Sequence, residues 1–134
     1  MGEEVGEVLF SADQIAARIR ELGDAISSDY AGHDLVLTGV LRGAAFFLVD
    51  LARALTIPAT IDFIAISSYG PSCQPSGVVR IVKDLEEEIA GRDLLVVEDI
   101  VDTGLTLGYL LRILRARGPA TLKVCTLLDR SVRR

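Results

Sequence analysis

The stretch from residue 93 to residue 107 limits most strongly what this chain can fold into, because it contains a strand pattern, an acidic turn and a helix start in that order. The apolar run at residues 94–97 is short and ends in two valines, which is typical of a strand buried on both faces of a parallel sheet. An apolar-periodic segment at residues 107–114 follows and indicates a helix. The stretch therefore predicts one strand–turn–helix unit of an α/β fold.

The rest of the chain repeats this alternation. Ser11 and Gln14 form a capping box at the start of a first helix, and Gly118 with Pro119 ends the last one. The remaining strands are predicted at residues 35–40, 60–66, 78–83 and 121–128, and a further helix at residues 44–55. Because most of these strands are too apolar to face water, the pattern predicts one domain, residues 1–134, with a parallel sheet and helices on both sides.

Three carboxylates and a phosphate-type turn lie where the strand of residues 94–97 should end. Glu98, Asp99 and Asp102 supply the carboxylates, and residues 102–106 supply two threonine hydroxyls, a glycine and a row of backbone N–H groups. Such a turn at the start of a helix can hold a phosphate. The carboxylates alone would repel that phosphate, so the pattern indicates a site for a sugar phosphate handled with a divalent cation.

A second candidate turn is Leu41-Arg42-Gly43, which follows the strand of residues 35–40 and precedes a helix. Open α/β sheets bind anions at this kind of position. A turn glycine together with a surface arginine is the alternative interpretation, and the residues alone leave both open. The polar segment at residues 67–77 contains two glycines and two prolines and is predicted to be a mobile loop of the length of a lid.

Charge and composition exclude several classes of function. The net charge of −5 argues against a nucleic-acid-binding surface. We expect no membrane span and a cytoplasmic protein, because no apolar run is long enough to span a bilayer and the first residues are acidic. Cys73 and Cys125 fit a reducing compartment, and the only histidine, His33, is expected to be a solvated turn residue. The charge run at residues 84–88 is expected to be a solvated turn or short helix.

Residues 96–106, Val-Val-Glu-Asp-Ile-Val-Asp-Thr-Gly-Leu-Thr, strongly resemble the signature of the type I phosphoribosyltransferases, and among them the hypoxanthine-guanine phosphoribosyltransferases. Residues 30–50, 61–70 and 124–134 are also similar to segments of the bacterial purine enzymes. The resemblance implies the three-layer open parallel sheet of that fold. It also implies purine salvage by transfer of 5-phosphoribosyl from phosphoribosyl pyrophosphate to a 6-oxopurine, which gives IMP or GMP plus pyrophosphate. Mg²⁺ would be the cofactor, and a homodimer or homotetramer would be the assembly.

The resemblance gives separate roles to individual residues of the 93–107 stretch. Glu98 and Asp99 would bind the ribose hydroxyls and Mg²⁺, and Asp102 would be the general base that takes a proton from the purine. The 5′-phosphate would be held by Asp102, Thr103, Gly104, Leu105 and Thr106, with the helix dipole assisting.

Other assignments from the resemblance lie outside that stretch. Leu41, Arg42 and Gly43 would bind pyrophosphate, with a cis peptide between Leu41 and Arg42 that turns N–H groups toward the ligand. Ser68 and Tyr69 match the lid that excludes water from the reacting centre. Arg130 would contact the 6-oxo group of the purine, at a position where the family usually has lysine.

The resemblance also leaves an alternative. The family continues beyond the position of Arg134 with a hood that completes the purine site. The resemblance therefore implies that residues 1–134 correspond to the fold without this hood. A regulatory protein that binds phosphoribosyl pyrophosphate without a complete purine site is therefore a second hypothesis. A flavodoxin-like α/β domain without catalysis is a third.

Overall fold

The computed structural model describes residues 11–68, 79–101 and 104–129. Helix α1 spans Ala12–Asp29, α2 spans Ala45–Ala54 and α3 spans Leu105–Arg115. The strands are β1 (Leu35–Leu41), β2 (Thr60–Ser68), β3 (Val79–Lys83), β4 (Asp93–Val101) and β5 (Thr121–Asp129). None of the helices in these ranges is long and apolar enough to cross a membrane.

The first helix begins where the sequence predicts. Ser11 is the N-cap residue: its hydroxyl accepts the Gln14 N–H at 3.1 Å, while the Gln14 side chain accepts the Ser11 N–H at 2.8 Å. This reciprocal pair is the predicted capping box, which satisfies two N–H groups that a helix start would otherwise leave exposed. Ile19 and Ile26 then form the buried face of the helix.

Within the described residues the strands form one five-stranded sheet in the order β3-β2-β1-β4-β5. The four strands β2, β1, β4 and β5 are parallel, as predicted, whereas β3 pairs antiparallel with β2 at the edge. The described part of the weakly alternating segment, Val79–Lys83, is thus an edge strand, where one face can remain solvated. β2 continues to Ser68, so the strand takes in the first two residues of the segment predicted to be a loop.

Helices cover both faces of the sheet, which confirms the predicted three layers. Strand side chains alternate between the faces, so Leu95 and Val97 of β4 pack with α1 and α2, while Leu94 and Val96 pack with α3. Among the buried side chains, Leu48 and Leu51 anchor α2 to its face, and Leu110 and Leu114 anchor α3 to the other.

The charge run at residues 84–88 is held by more contacts than the expected solvated turn would have. The carboxylate of Asp62, which is buried in β2, accepts the N–H groups of Glu86 and Glu87 at 3.0 and 2.9 Å. Asp84 accepts two hydrogen bonds from the Arg117 guanidinium at 2.8 and 3.0 Å. Residues 84–88 therefore form a connection between β3 and β4 that is held in place by hydrogen bonds to residues distant in the sequence.

His33 is the exposed turn residue that we expected, but it also has a hydrogen-bond partner that the sequence did not indicate. Its side chain is about half exposed, but Nδ1 lies 2.9 Å from Oδ2 of Asp93, which is almost fully buried at the start of β4. Thr121, the first residue of β5, donates from Oγ1 to the other carboxylate oxygen of Asp93 at 2.6 Å. These bonds join the turn after α1 to the starts of two strands, at the sheet edge opposite the candidate site.

Candidate active site

The two candidate turns follow neighbouring parallel strands. β1 and β4 pair in register from Leu35 with Asp93 to Gly39 with Val97. Their carboxyl ends therefore meet at the same edge of the sheet. In open α/β sheets ligands bind at this edge, where loops and helix starts converge. The structure thus brings together two segments that are about 60 residues apart in the sequence.

The first turn leads directly from β1 into α2. The peptide between Leu41 and Arg42 is cis, which confirms the expectation drawn from the resemblance. Arg42 and Gly43 are exposed, while Ala44 is buried and its N–H donates to the Val40 carbonyl at 3.2 Å. No side chain caps the start of α2, so N–H groups of its first turn are open to an anionic ligand.

Strand β4 runs further than the sequence pattern indicates. The acidic pair was expected where the strand ends, but the strand continues through Glu98 and Asp99 to Val101. Consecutive strand residues point to opposite faces, so Glu98 lies on the α3 face and Asp99 on the α2 face. The two carboxylates therefore lie at the same edge of the sheet but on opposite faces.

Asp99 lies directly against the first turn. A Cβ added to Gly43 would lie 3.2 Å from Oδ1 and 3.3 Å from Oδ2 of Asp99. These separations are slightly shorter than ordinary van der Waals contact, so a larger residue at position 43 would fit only if the carboxylate moved by a few tenths of an ångström. The contact joins the predicted pyrophosphate turn to one of the two predicted sugar and metal carboxylates.

Among the described groups at this edge, Glu98 has a pKa far from its ordinary value. Its pKa is raised to about 7, first because burial disfavours the charged carboxylate and second because the charge of Asp99 is close. A nearby cation would reverse this effect by favouring the ionised form. The arrangement is thus suited to a ligand that brings positive charge to the carboxylates.

The second turn is described only in part. Asp102 and Thr103, predicted as base and phosphate ligands, lie outside the described residues. Gly104 has φ of +86°, a left-handed conformation that glycine adopts without strain, and it is the N-cap residue of α3. Leu105 and Thr106 are exposed in the first turn of that helix. The described part therefore has the helix start that the phosphate-turn prediction requires.

The predicted lid and purine contacts lie largely beyond what the structure describes. Ser68 is the last residue of β2, and its side chain is outside the described part, as are Tyr69 and Arg130. Cys73 is outside it as well. Arg130 nevertheless directly follows β5, which ends at the same sheet edge as β4. Its predicted role stays a prediction.

The two carboxylates at this edge are compatible with a Mg²⁺ ion that a bound substrate also coordinates. Within residues 11–68, 79–101 and 104–129 no group of three His, Cys, Asp or Glu side chains could hold a metal by itself. Mg²⁺ commonly takes one or two carboxylates and completes its shell with water and substrate phosphates. Glu98 and Asp99 fit that pattern, since their mutual repulsion is part of what raises the Glu98 pKa.

One residue near the acidic pair was given no role by the sequence analysis. Thr126 of β5 pairs in register with Glu98 of β4, so both side chains lie on the α3 face of the sheet. The only sequence signal was a hydroxyl residue within an otherwise apolar run. That signal is weak, because threonine is also a common strand residue.

Comparison with known proteins adds an independent set of findings. A family model described as a phosphoribosyl transferase domain matches residues 7–134. The hypoxanthine-guanine phosphoribosyltransferase of Mycobacterium tuberculosis is 53% identical over 131 residues, covering 93% of this chain and 65% of the relative. The hypoxanthine phosphoribosyltransferase of Salmonella typhimurium is 45% identical over 130 residues, covering 96% of this chain and 73% of the relative. The chain thus spans less than two thirds of the mycobacterial relative's length.

Solved structures give the same picture. A hypoxanthine phosphoribosyltransferase from Staphylococcus aureus superposes with a TM-score of 0.89 at 39% identity, covering 96% of this chain and 70% of its own. A hypoxanthine-guanine phosphoribosyltransferase from Bacillus anthracis gives a TM-score of 0.86 at 41% identity, covering 92% and 73%. Similarity in sequence and in fold therefore extends over nearly all of this chain.

Proposed function

The chain belongs to the phosphoribosyltransferase family, and from this premise we propose that it is a hypoxanthine/guanine phosphoribosyltransferase of purine salvage. It transfers 5-phosphoribosyl from phosphoribosyl pyrophosphate to a 6-oxopurine and yields IMP or GMP plus pyrophosphate. The observation that carries the proposal is the contact of the Asp99 carboxylate with Gly43. It brings a turn suited to pyrophosphate beside a carboxylate suited to ribose and Mg²⁺.

The side chains divide the work of the reaction. The turn of Leu41, Arg42 and Gly43 holds the pyrophosphate that leaves, and the turn that begins at Asp102 holds the 5′-phosphate through N–H groups and threonine hydroxyls. Fixing both ends of the donor leaves its anomeric carbon oriented for attack, which lowers the entropic part of the barrier. Glu98 and Asp99 hold the ribose hydroxyls between the two turns.

Proton transfer and exclusion of water complete the mechanism. Asp102 takes the proton from one purine ring nitrogen as the other attacks the anomeric carbon. Ser68 and Tyr69 belong to the lid that keeps water from capturing the cationic transition state. Glu98 and Asp99 would hold Mg²⁺, which would supply positive charge to offset the phosphates of the donor. Arg130 donates to the 6-oxo group of the base.

The cellular setting follows from the same proposal. Such an enzyme works in the cytoplasm, where the buried free thiol of Cys125 stays reduced. The expected assembly is a homodimer or homotetramer, and neither a nucleic acid nor a membrane is a partner.

A direct assay tests the proposal. The chain is incubated with phosphoribosyl pyrophosphate, Mg²⁺ and each of hypoxanthine, guanine, xanthine and adenine, and nucleotide formation is measured. We expect product from hypoxanthine or guanine and none from adenine. Binding of phosphoribosyl pyrophosphate without product from any base would contradict the enzyme assignment and favour the regulatory protein.

A further inference from the structure

We infer that a second copy of this chain docks on the outer face of α2, the side of the helix that is turned away from the sheet. Four exposed residues define this docking stripe: Phe46, Val49, Asp50 and Arg53. The inference rests on the proposed function and deepens it, because it names the surface that joins the copies of the expected homodimer or homotetramer. Its test needs no substrate, so its failure is distinguishable from failure of the proposed function.

The docking stripe has the spacing of a single helix face. Its four residues follow one another at i, i+3, i+4 and i+7, so they are neighbours along two turns. The buried residues Phe47, Leu48 and Leu51 take the other side of α2, which packs against β1 and β4. The stripe therefore lies on the solvent side of the helix.

The stripe carries large apolar side chains that nothing in the described part of the chain covers. Phe46 is 86% exposed, and Val49, one turn further along, is about half exposed. Ile61 of β2 is also exposed on the same side of the sheet, since its in-register neighbour Leu37 packs with α1 and α2. Contact with a partner would remove this apolar surface from water.

The two charged residues of the stripe indicate which partner fits. Within residues 11–68, 79–101 and 104–129, neither Asp50 nor Arg53 has an ion-pair partner. Arg18 and Glu21 of α1 have the same spacing of three residues and do form a pair, at 3.3 Å. One unpaired charge of each sign makes the stripe complementary to itself, as an interface with twofold symmetry requires.

An antiparallel pair of α2 helices about a twofold axis uses this complementarity. With the axis between Val49 and Asp50, Arg53 of the second copy lies opposite Phe46, where a guanidinium can stack on the ring. The same guanidinium is one helical turn from Asp50, which offers it a carboxylate. By symmetry each contact forms twice. A second copy therefore covers the exposed ring and pairs both charges at once.

The docking stripe begins beside the candidate site. Phe46 follows Gly43 by three residues and lies in the first turn of α2, whose N–H groups are open to an anionic ligand. Docking holds this turn in place. Because coupling between two sites is reciprocal, association of the chains and binding of pyrophosphate should favour each other.

Sedimentation equilibrium of the purified chain measures the association. We expect the wild type to form a dimer or a multiple of it, and Phe46→Glu to raise the dimer dissociation constant by about thirtyfold or more, the size of a hot-spot loss. Val82→Glu is the matched control. Val82 is 63% exposed on the edge strand β3, outside the stripe, so this variant should associate as the wild type does. Circular dichroism checks that each variant is folded.

Exchange of the two charges tests whether the partner is a second copy. Asp50→Arg and Arg53→Asp each bring like charges together in a symmetric dimer, so each should weaken association. The double variant Asp50→Arg/Arg53→Asp restores opposite charges and should recover most of the association. Neither a damaged fold nor a different partner would give this recovery.

A further measurement tests the coupling to the pyrophosphate turn. Inorganic pyrophosphate with Mg²⁺ should lower the dimer dissociation constant, whereas a chloride salt at the same ionic strength should not. A dissociation constant that pyrophosphate leaves unchanged would overturn the coupling.

Four results would overturn the docking surface: a monomeric wild type, wild-type association in Phe46→Glu, an equal loss in Val82→Glu, or no recovery in the double charge variant. A monomeric chain that still forms nucleotide would leave the proposed function standing without this interface.

Discussion

Gly23 of α1 packs directly against Ala54 at the end of α2: a Cβ added to Gly23 would lie 2.6 Å from the Ala54 Cβ and 2.9 Å from its carbonyl oxygen. The two helices reach this separation only because residue 23 has no side chain. We expect Gly23→Ala to lower the free energy of unfolding by about 1–3 kcal/mol, since backbone would have to move to admit the methyl group. Urea denaturation measures the change.

Gly108 of α3 is the matched control. It too lies inside a helix, but no atom lies within 4 Å of an added Cβ. Gly108→Ala should raise the free energy of unfolding by about 0.5–1 kcal/mol, because alanine loses less conformational entropy in a helix. Equal stabilisation by both substitutions would show that α1 and α2 are not in the close contact described.

Asp62 supports the crossover between β3 and β4. Its carboxylate is buried and accepts three backbone N–H groups, those of Phe63, Glu86 and Glu87. Asp62→Ala should lower the free energy of unfolding by about 1–3 kcal/mol, since it removes the charged acceptor of three backbone N–H groups.

Asp84 provides the comparison for Asp62. Its ion pair with Arg117 is largely exposed, so Asp84→Ala should change the free energy of unfolding by about 1 kcal/mol at most. Chemical denaturation of both variants checks the difference. A loss in Asp84→Ala as large as in Asp62→Ala would contradict the assigned roles.

Asp93 should make stability depend on acid pH. Its pKa is lowered, mainly by the hydrogen bond from Thr121 and further by the bond with His33, against the opposing effect of burial. A carboxyl whose folded pKa lies below its unfolded value of about 3.9 stabilises the fold above that pH. This contribution is lost as the pH falls through the folded pKa.

Thr121→Val tests that pH dependence. Removing the hydroxyl raises the pKa of Asp93 in the folded protein. As the pH falls from about 4 to the pKa of Asp93 in the folded wild type, the variant should therefore lose less stability than the wild type. Thermal melts across this range measure it. Parallel pH profiles for the two proteins would count against the role of the Thr121 bond.

Asp102→Asn tests the proposed general base. The amide cannot take the purine proton, so kcat should fall by about 10²–10⁴-fold. Binding of GMP should stay largely intact, because in the proposed site backbone N–H groups and hydroxyls hold the phosphate. Steady-state kinetics with a parallel GMP titration separates the two effects, and an unchanged kcat would exclude Asp102 as the base.

Arg130 tests the proposed contact with the purine. Arg130→Met removes the donor to the 6-oxo group and should lower kcat/KM for hypoxanthine by about 10–100-fold, the cost of a hydrogen bond from a charged group. Arg130→Lys keeps a donor and should retain most of the activity. Equal kcat/KM values for the wild type and Arg130→Met would remove Arg130 from the purine site.

Local pattern was sufficient for most of the helices and strands and for the family, while the roles of the site residues stay a prediction. The first helix starts at Ser11 because its capping box needs only residues three positions apart. The strands of residues 35–40 and 94–97 are apolar enough to be recognised as buried without knowledge of their partners. Because strand, carboxylates and phosphate turn occur in one continuous stretch, residues 96–106 also identified the family, which the comparisons confirm.

Tertiary structure decided the features that depend on residues far apart in the sequence. No local signal links His33 to Asp93, or residues 84–88 to Asp62, because hydrogen bonds between distant segments leave no periodic pattern. The sequence predicted two turns and an acidic pair. Only the parallel register of β1 and β4 places the turns at one edge, and only the alternation along β4 sends Asp99 to Gly43 and Glu98 to the opposite face.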